Sequence, residues 1–328
     1  MLAHLSVLQV IVPLMAAPVC LVFRREKAAW LIALTASVIA LLISIALLWQ
    51  VLETGTLSYA LGGWDAPWGI EYRIDSLNAY LLLIVSAIGC LVMLSAHAGI
   101  GVELSAQRQP FLYIAYLLCL AGLLGIAATG DIFNLFVFLE ISSLSSYILI
   151  ALGKHRMALR ASYQYLIMGT IGATFILTGI GLLYAMTGTL NMLDISQRLP
   201  EVADTRTVFA AFVFLVAGAC LKLALFPLHF WLPGAYTHAP SAVSAFLAAT
   251  ATKVAVYVLV RLIFSVFGAE FSYTRFPLEA ILLLLSLAGI FIASTMAIFQ
   301  QNVKCLFAYS SIAQIGYMTL GLSIGTPA

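Results

Sequence analysis

Runs of about twenty apolar residues follow one another down this chain with only short polar breaks between them. That pattern decides which solvent the chain folds in. Crossing a hydrocarbon layer of about 30 Å takes a helix of about 20 residues. Lipid offers the backbone no hydrogen-bond partner, so a spanning segment must satisfy its own amides, and for runs this long that means helices. Ten runs qualify: 3–23, 28–51, 77–97, 111–129, 132–152, 162–187, 207–234, 239–266, 278–299 and 303–324. Charged residues fill only 9% of the 328 positions and hydrophobic ones 63%. A soluble domain carries roughly a quarter charged residues, so this chain has too little charge to cover a water-facing surface. The fold class is an all-α polytopic membrane protein of about ten transmembrane helices, a single transmembrane domain over 1–328. The first run lacks a basic segment before it and a small-residue cleavage site after it, so it reads as a span and not a leader.

Charge placement orients the spans. With the N-terminus outside, Arg24, Arg25, Lys27, Arg108, Lys154, Arg156, Arg160 and Lys304 fall inside, against Arg73, Arg198, Arg206 and Arg275 outside. The excess obeys the positive-inside rule, and predicts a multi-pass protein of a bacterial plasma (inner) membrane. The 52–76 loop has strand-like alternation over Thr56–Ile74, with Tyr59, Trp64, Trp68 and Tyr72 suited to the lipid–water interface, and predicts a hairpin. The polar stretch 191–207 predicts a short surface helix. Spans four and five must form a tight hairpin across Gly130–Asp131. Cys20, Cys90, Cys119, Cys220 and Cys305 all lie in apolar stretches without a CxxC pair and read as small core residues. No metal-ligand spacing, phosphate loop or catalytic triad is present. No cofactor is therefore expected, the chain reads as a transporter subunit more than an enzyme, and a net charge of +2 gives no sign of a nucleic-acid partner.

Three ionisable residues interrupt the apolar runs near their centres, where each costs about 2.5–3.5 kcal/mol even on the mildest scale. Glu140 shares a helix face with Ser143 and Tyr147, at i+3 and i+7. Lys222 precedes Pro227, whose ring clashes with the carbonyl of Leu223, so the helix should break beside the lysine. Freed carbonyls at membrane depth then need a wet cavity or a polar neighbour, as at the half-helix sites of transporters. Lys253 has Thr250 and Tyr257 on its face. Burial opposes the charge on either type of group and a nearby opposite charge restores it, so a carboxylate and two lysines can pass a proton without a cofactor. His229, just after the break, and His238, in the next turn region, can take or give protons at neutral pH. His4, His97 and His155 read as interfacial.

Glu140, Lys222 and His229 sit in a set of segments that resembles the antiporter-like membrane proteins shared by Mrp-type cation/proton antiporters, respiratory complex I and membrane-bound hydrogenases, most closely the D-type component of the Mrp antiporters. The segments are Gly130–Glu140 (GDIFNLFVFLE), Tyr184–Met192 (YAMTGTLNM), Lys222–Pro233 (KLALFPLHFWLP), Pro240–Ala245 (PSAVSA) and Lys304–Tyr317 (KCLFAYSSIAQIGY). The resemblance implies two inverted five-helix repeats, each with one broken helix. Spans four to eight, over 111–266, would be the complete first repeat with the seventh span broken. Residues 278–328 would begin the second, and 1–110 would hold the first three spans. It implies proton-path roles for Glu140, Lys222 and Lys253, and for Lys304 at the opening of the AYSS segment. Cys305 stands where the family usually has arginine. The second repeat would lack its broken helix, so the chain reads as C-terminally truncated, with Gly325–Ala328 in mid-loop.

The resulting expectation is a proton-translocating subunit of a multisubunit monovalent cation (Na+ or K+)/proton antiporter, working with sister membrane subunits. One alternative is a proton-pumping subunit of a complex I-type NADH:quinone oxidoreductase or membrane-bound hydrogenase. Another is a truncated scaffold without transport of its own.

Overall fold

The computed structural model describes residues 4–23 and 25–325, leaving Met1–Ala3, Arg24 and Thr326–Ala328 outside the description. All ten expected spans are present as long apolar helical segments, and the protein is an all-α polytopic membrane protein. Its contacts divide it into two units, Met1–Leu166 with His238–Thr250, and Ile167–Thr237 with Ala251–Ala328.

The first unit contains α1 (Leu5–Val22), α2 (Glu26–Thr54), a β-hairpin of β1 (Leu57–Ala60) and β2 (Glu71–Ile74), α3 (Ser76–Glu103), α4 (Gln109–Ala128), α5 (Ile132–Ala151), the start of α6 (Arg156–Thr187) and α10 (Ser241–Ala249). The hairpin pairs antiparallel from Leu57 opposite Ile74 to Ala60 opposite Glu71. This is the hairpin expected for the 52–76 loop. Trp64 and Trp68 on its turn are exposed. Helix α3 opens with a capping box, in which the Asp75 side chain accepts from Leu77 and Asn78 and the Asn78 side chain accepts from the Asp75 N–H. Helices α4 and α5 pack along their length, and glycine on α4 permits it. A Cβ at Gly122 would lie 2.7 Å from the Ser142 nitrogen and 2.9 Å from the Phe138 oxygen. Between helices in lipid, where no hydrophobic force separates tail from side chain, such close approach carries much of the association.

The second unit contains the rest of α6, α7 (Met192–Val202), α8 (Arg206–Leu223), α9 (Trp231–His238) up to Thr237, α11 (Ala251–Val260), α12 (Leu278–Ile298) and α13 (Val303–Ser323). Helix α7 is the short polar helix expected in 191–207, capped by the Asn191 side chain and braced by Arg198 on Asp194 at 2.9 Å. Phe212 of α8 anchors an edge-on aromatic cluster with Phe267, Phe271 and Phe276. Helices α12 and α13 form an extensively packed pair, pinned by a 2.7 Å bond between the Ser286 and Thr319 hydroxyls.

Two expected spans are subdivided. The 207–234 segment is α8, a break, and then α9. The 239–266 segment, expected to be continuous, is interrupted at Thr250 and finishes in a π-helical turn over Arg261–Val266. The Thr250 hydroxyl donates to the Phe246 carbonyl at 2.7 Å. Such back-bonding competes with the regular ladder and bends helices.

Candidate functional site

In the first unit, the corner leading into α5 is held by polar side chains. The Asp131 carboxylate accepts the Asn134 N–H at 2.7 Å, and Thr129 Oγ1 takes the Asp131 N–H at 3.2 Å and the Asn134 amide at 3.1 Å. The β-hairpin reaches this corner: Gly130 N–H donates to the Glu71 carbonyl at 2.8 Å. The Asn78 amide donates to the Ala127 carbonyl at 3.0 Å and to that of Arg73 at 2.6 Å. Burial pushes the Asp131 carboxyl above its ordinary range, against the pull of the Asn134 and Phe133 N–H groups. Burial likewise pushes the Tyr72 phenol, on the adjacent strand, up to about 12, with the Asn134 side chain opposing it.

Two turns beyond this corner lies Glu140, half-buried on α5. Ser143 and Tyr147 on its face are buried, and the Tyr147 hydroxyl lies within the field of Glu140 and beside Ser143. The Tyr147 ring meets Tyr165 edge-on at 4.7 Å, and Ser162 donates to the Tyr147 carbonyl at 2.7 Å. The neighbouring serines are satisfied along their own helix: Ser142 donates to Leu139, Ser145 to Ile141 and Ser146 to Ser142, at 2.7–2.9 Å. Glu140, Ser143 and Tyr147 are the polar stripe read from sequence, and the serines beside them bond along the helix.

His238 belongs to this first unit and is half-buried at the end of α9. The turn after it is gripped on two sides. A Cβ at Gly153 would collide with the His238 carbonyl oxygen, so only glycine fits there. The Glu103 carboxylate accepts the Ser241 N–H at 2.8 Å through one oxygen and the Ser241 hydroxyl through the other. A carboxylate on the first N–H of α10 also meets the positive end of its dipole. Sequence reading missed Glu103, because its partner lies 138 residues away and no local pattern announces the pairing.

In the second unit, Lys222 is 7% exposed and lies in the last turn of α8. It is thus at a helix end and not in mid-helix. The break there has a definite geometry. Ala224 adopts φ 61°, ψ 41°. Its N–H donates to Leu221 O at 3.3 Å and that of Leu225 to Cys220 O at 3.0 Å. This is a Schellman motif with alanine where glycine is usual. Pro227 follows, across a cis bond from Phe226. The Trp231 indole N–H returns to the Leu221 carbonyl at 3.3 Å, supplying one of the partners that a broken helix requires. The carbonyl end of α8 is electrostatically suited to the Lys222 ammonium, and the Lys222 stem passes α6 at Gly172, whose added Cβ would stand 3.7 Å from Lys222 Cγ. His229 is 6% exposed, stacked on Phe226 and Phe230 at 22°, and its Nδ1 has no hydrogen-bond partner among the described residues.

Lys253 is half-buried in the first turn of α11, three residues past the Thr250 interruption. Helix α11 packs on α8 and on α13. Tyr257, one turn along, accepts from Arg261 Nε at 3.0 Å. Lys304 is half-buried in the first turn of α13, its N–H capped by the Asn302 side chain at 2.9 Å. Of the predicted site residues, Glu140 and His238 fall in the first unit, and Lys222, Pro227, His229, Lys253 and Lys304 in the second.

The family described as NADH:quinone oxidoreductase/Mrp antiporter, TM matches residues 129–328, from the corner before α5 through every candidate residue. The chain belongs to this family. It is 43% identical over 328 residues to the N-type component of the NADH-quinone oxidoreductase of Desulforudis audaxviator, covering 99% of this chain and 65% of that one. It is 34% identical over 327 residues to the D-type component of the Na(+)/H(+) antiporter of Bacillus subtilis, covering 98% and 64%. A chain in the structure of the membrane-bound sulfane sulfur reductase, an archaeal respiratory membrane complex, superposes with a TM-score of 0.88 at 30% identity, over 98% of this chain and 65% of that one. The protein thus spans about two thirds of the length of its relatives, and both branches of the family suggested by its motifs are represented among them.

Proposed function

We propose that this chain is a proton-carrying membrane subunit of a multisubunit monovalent cation (Na+ or K+)/proton antiporter, with Glu140, Lys222 and Lys253 as its relay. The observation that carries the reading is Lys222: a buried lysine at the carbonyl end of a broken helix. A charge there is costly unless it is used or paired, and a lysine changes its proton affinity readily with its surroundings. Lys253 stands beside a second interruption on a helix packed against α8. In this reading His229, His238 and Lys304 serve entry and exit, and Pro227 keeps the break open. Passage between the carboxylate and Lys222 requires the two to come within electrostatic reach. Spans four to eight, over 111–266, act as one antiporter-like repeat and 278–328 as the start of another. The N-terminus faces outward from a bacterial plasma membrane, and sister subunits complete the path.

The test uses the assembled complex in vesicles with an imposed pH gradient and a fluorescent pH reporter. Glu140→Gln and Lys222→Ala should each abolish cation-dependent dissipation of the gradient while the complex still purifies intact. Arginine cannot release its proton, so Lys253→Arg should slow exchange. Normal exchange by intact mutant complexes sinks the relay. A second reading, a redox-coupled pump, is favoured by the higher identity to the oxidoreductase relative than to the antiporter relative. It predicts proton uptake that needs an electron donor and is indifferent to added Na+ or K+.

A further inference from the structure

The first three helices meet in a seam that the proton relay does not use. Gln9 of α1, Ser44 of α2 and Ser86 of α3 converge there, all fully buried. Ser44 lies ten residues before the end of α2 and Ser86 ten after the start of α3. At 1.5 Å per residue both serines lie about 15 Å inside their helices, and Gln9 lies one turn inside α1. The Gln9 amide donates to Ser44 Oγ at 2.7 Å and the Ser86 hydroxyl donates to the same atom at 2.9 Å. Ser44 in turn donates to the carbonyls of Ala40 at 3.0 Å or Leu82 at 3.2 Å. The Ser86 hydroxyl has a second acceptor in the Leu83 carbonyl at 3.1 Å. A hydroxyl has one proton and two lone pairs, so Ser44 is saturated when Ser86 gives its proton to it.

Gln9 is not. Its Oε1 is buried without a hydrogen-bond donor among the described residues. Turning the amide over does not help, since the NH2 group would then take the orphaned position and Ser44 would lose a donor. An unmet amide in an apolar setting costs roughly 1–3 kcal/mol by mutational measure and more against pure hydrocarbon.

We propose that Gln9, Ser44 and Ser86 form a buried water site among the N-terminal helices, with a water donating to Gln9 Oε1. Ser86 Oγ, which keeps a lone pair whether its proton goes to Ser44 or to the Leu83 carbonyl, is the second anchor. A monovalent cation fits the same atoms poorly. Hard cations collect about six oxygens, whereas Gln9, Ser44 and Ser86 offer at most three side-chain oxygens. Water needs two to four partners, which this site has. The site is separate from the charged residues of the relay and does not depend on the function proposed for them.

The experiment is a single-particle map of the assembled complex in lipid nanodiscs, at a resolution that shows buried waters elsewhere in the same map. A density peak at hydrogen-bond distance from Gln9 Oε1 and in reach of Ser86 Oγ is expected. It should disappear in Gln9→Leu and weaken in Ser86→Ala, the milder variant that keeps the Gln9–Ser44 bond. An empty seam in the wild-type map overturns the proposal. So does a peak ringed by four or more oxygens at cation distances, or a peak that survives Gln9→Leu unchanged.

Discussion

Gly122→Ala offers a sharp test of how α5 is positioned. The added Cβ would lie 2.7 Å from the Ser142 nitrogen and 2.8 Å from Ser142 Cβ, where ordinary contact begins at 3.4 Å. Helix α5 must therefore retreat by about 0.7 Å from α4, the difference of those distances. The obstructing atoms are mostly backbone, so no rotamer change relieves them. Overpacking of this kind costs roughly 1–3 kcal/mol, while replacing glycine by alanine in a helix returns about 0.8–1.0 kcal/mol. The net expectation is a loss of up to about 2 kcal/mol. Glu140 sits two residues before Ser142 and moves with it. If Glu140 relays protons as proposed, a shift near 1 Å there can cost about a hundredfold in rate, so exchange should fall by tenfold or more, well beyond the loss of folded complex. Gly99→Ala in α3 is the control, since nothing lies within 4 Å of its added Cβ; it should gain up to about 1 kcal/mol and leave exchange near wild type. Thermal midpoints by fluorescence-detected size exclusion and vesicle exchange rates give the two readouts. If Gly122→Ala behaves like Gly99→Ala in both, close α4–α5 approach does not set the position of Glu140.

Three further outcomes are expected. Glu103→Ala and Ser241→Ala should each slow exchange by a few-fold, and the double variant should be no worse than the poorer single, because both remove the same clamp; additive losses would show that the two do not act as a pair. Asp131→Asn should gain stability relative to wild type as pH rises. Burial raises the folded-state affinity of Asp131 for its proton, so the wild-type contribution is present at low pH and lost as pH climbs through the folded value, whereas asparagine caps a helix equally well and does not titrate. A pH-independent difference in thermal midpoint would refute this. Ala224→Gly should raise the midpoint, since φ 61° at alanine costs about 1–2 kcal/mol that glycine avoids; an unchanged or lower midpoint would mean that the Schellman turn is not strained.

Much of the fold was legible because lipid leaves few choices. Ten apolar runs became ten helical spans, since a backbone in hydrocarbon must bond to itself. The hairpin at 57–74 and the helix at 192–202 were legible from alternation and polarity. Glu140, Lys222 and Lys253 stood out for the same reason: a charge in an apolar run is too costly to be accidental. Pro227 announced the break after Lys222 through its missing N–H. The interruption at Thr250 was not announced, because a threonine hydroxyl turns back on its own helix in some settings and outward in others. The choice depends on the neighbours it packs against.

The sequence by itself thus determined the solvent, the helices and the candidate charges, all of which follow from hydropathy and backbone chemistry acting over a few turns. The tertiary structure alone decided how Lys222 is held. It placed the lysine in a last helical turn behind an alanine in the left-handed region, with the Trp231 indole answering a freed carbonyl. It also decided the pairing of Glu103 with Ser241, the pressure of Gly122 on α5 and the convergence of Gln9 with Ser44 and Ser86. These depend on which faces meet across tens or hundreds of residues. A one-dimensional pattern records which positions are apolar or charged, but carries no information about which of them become neighbours.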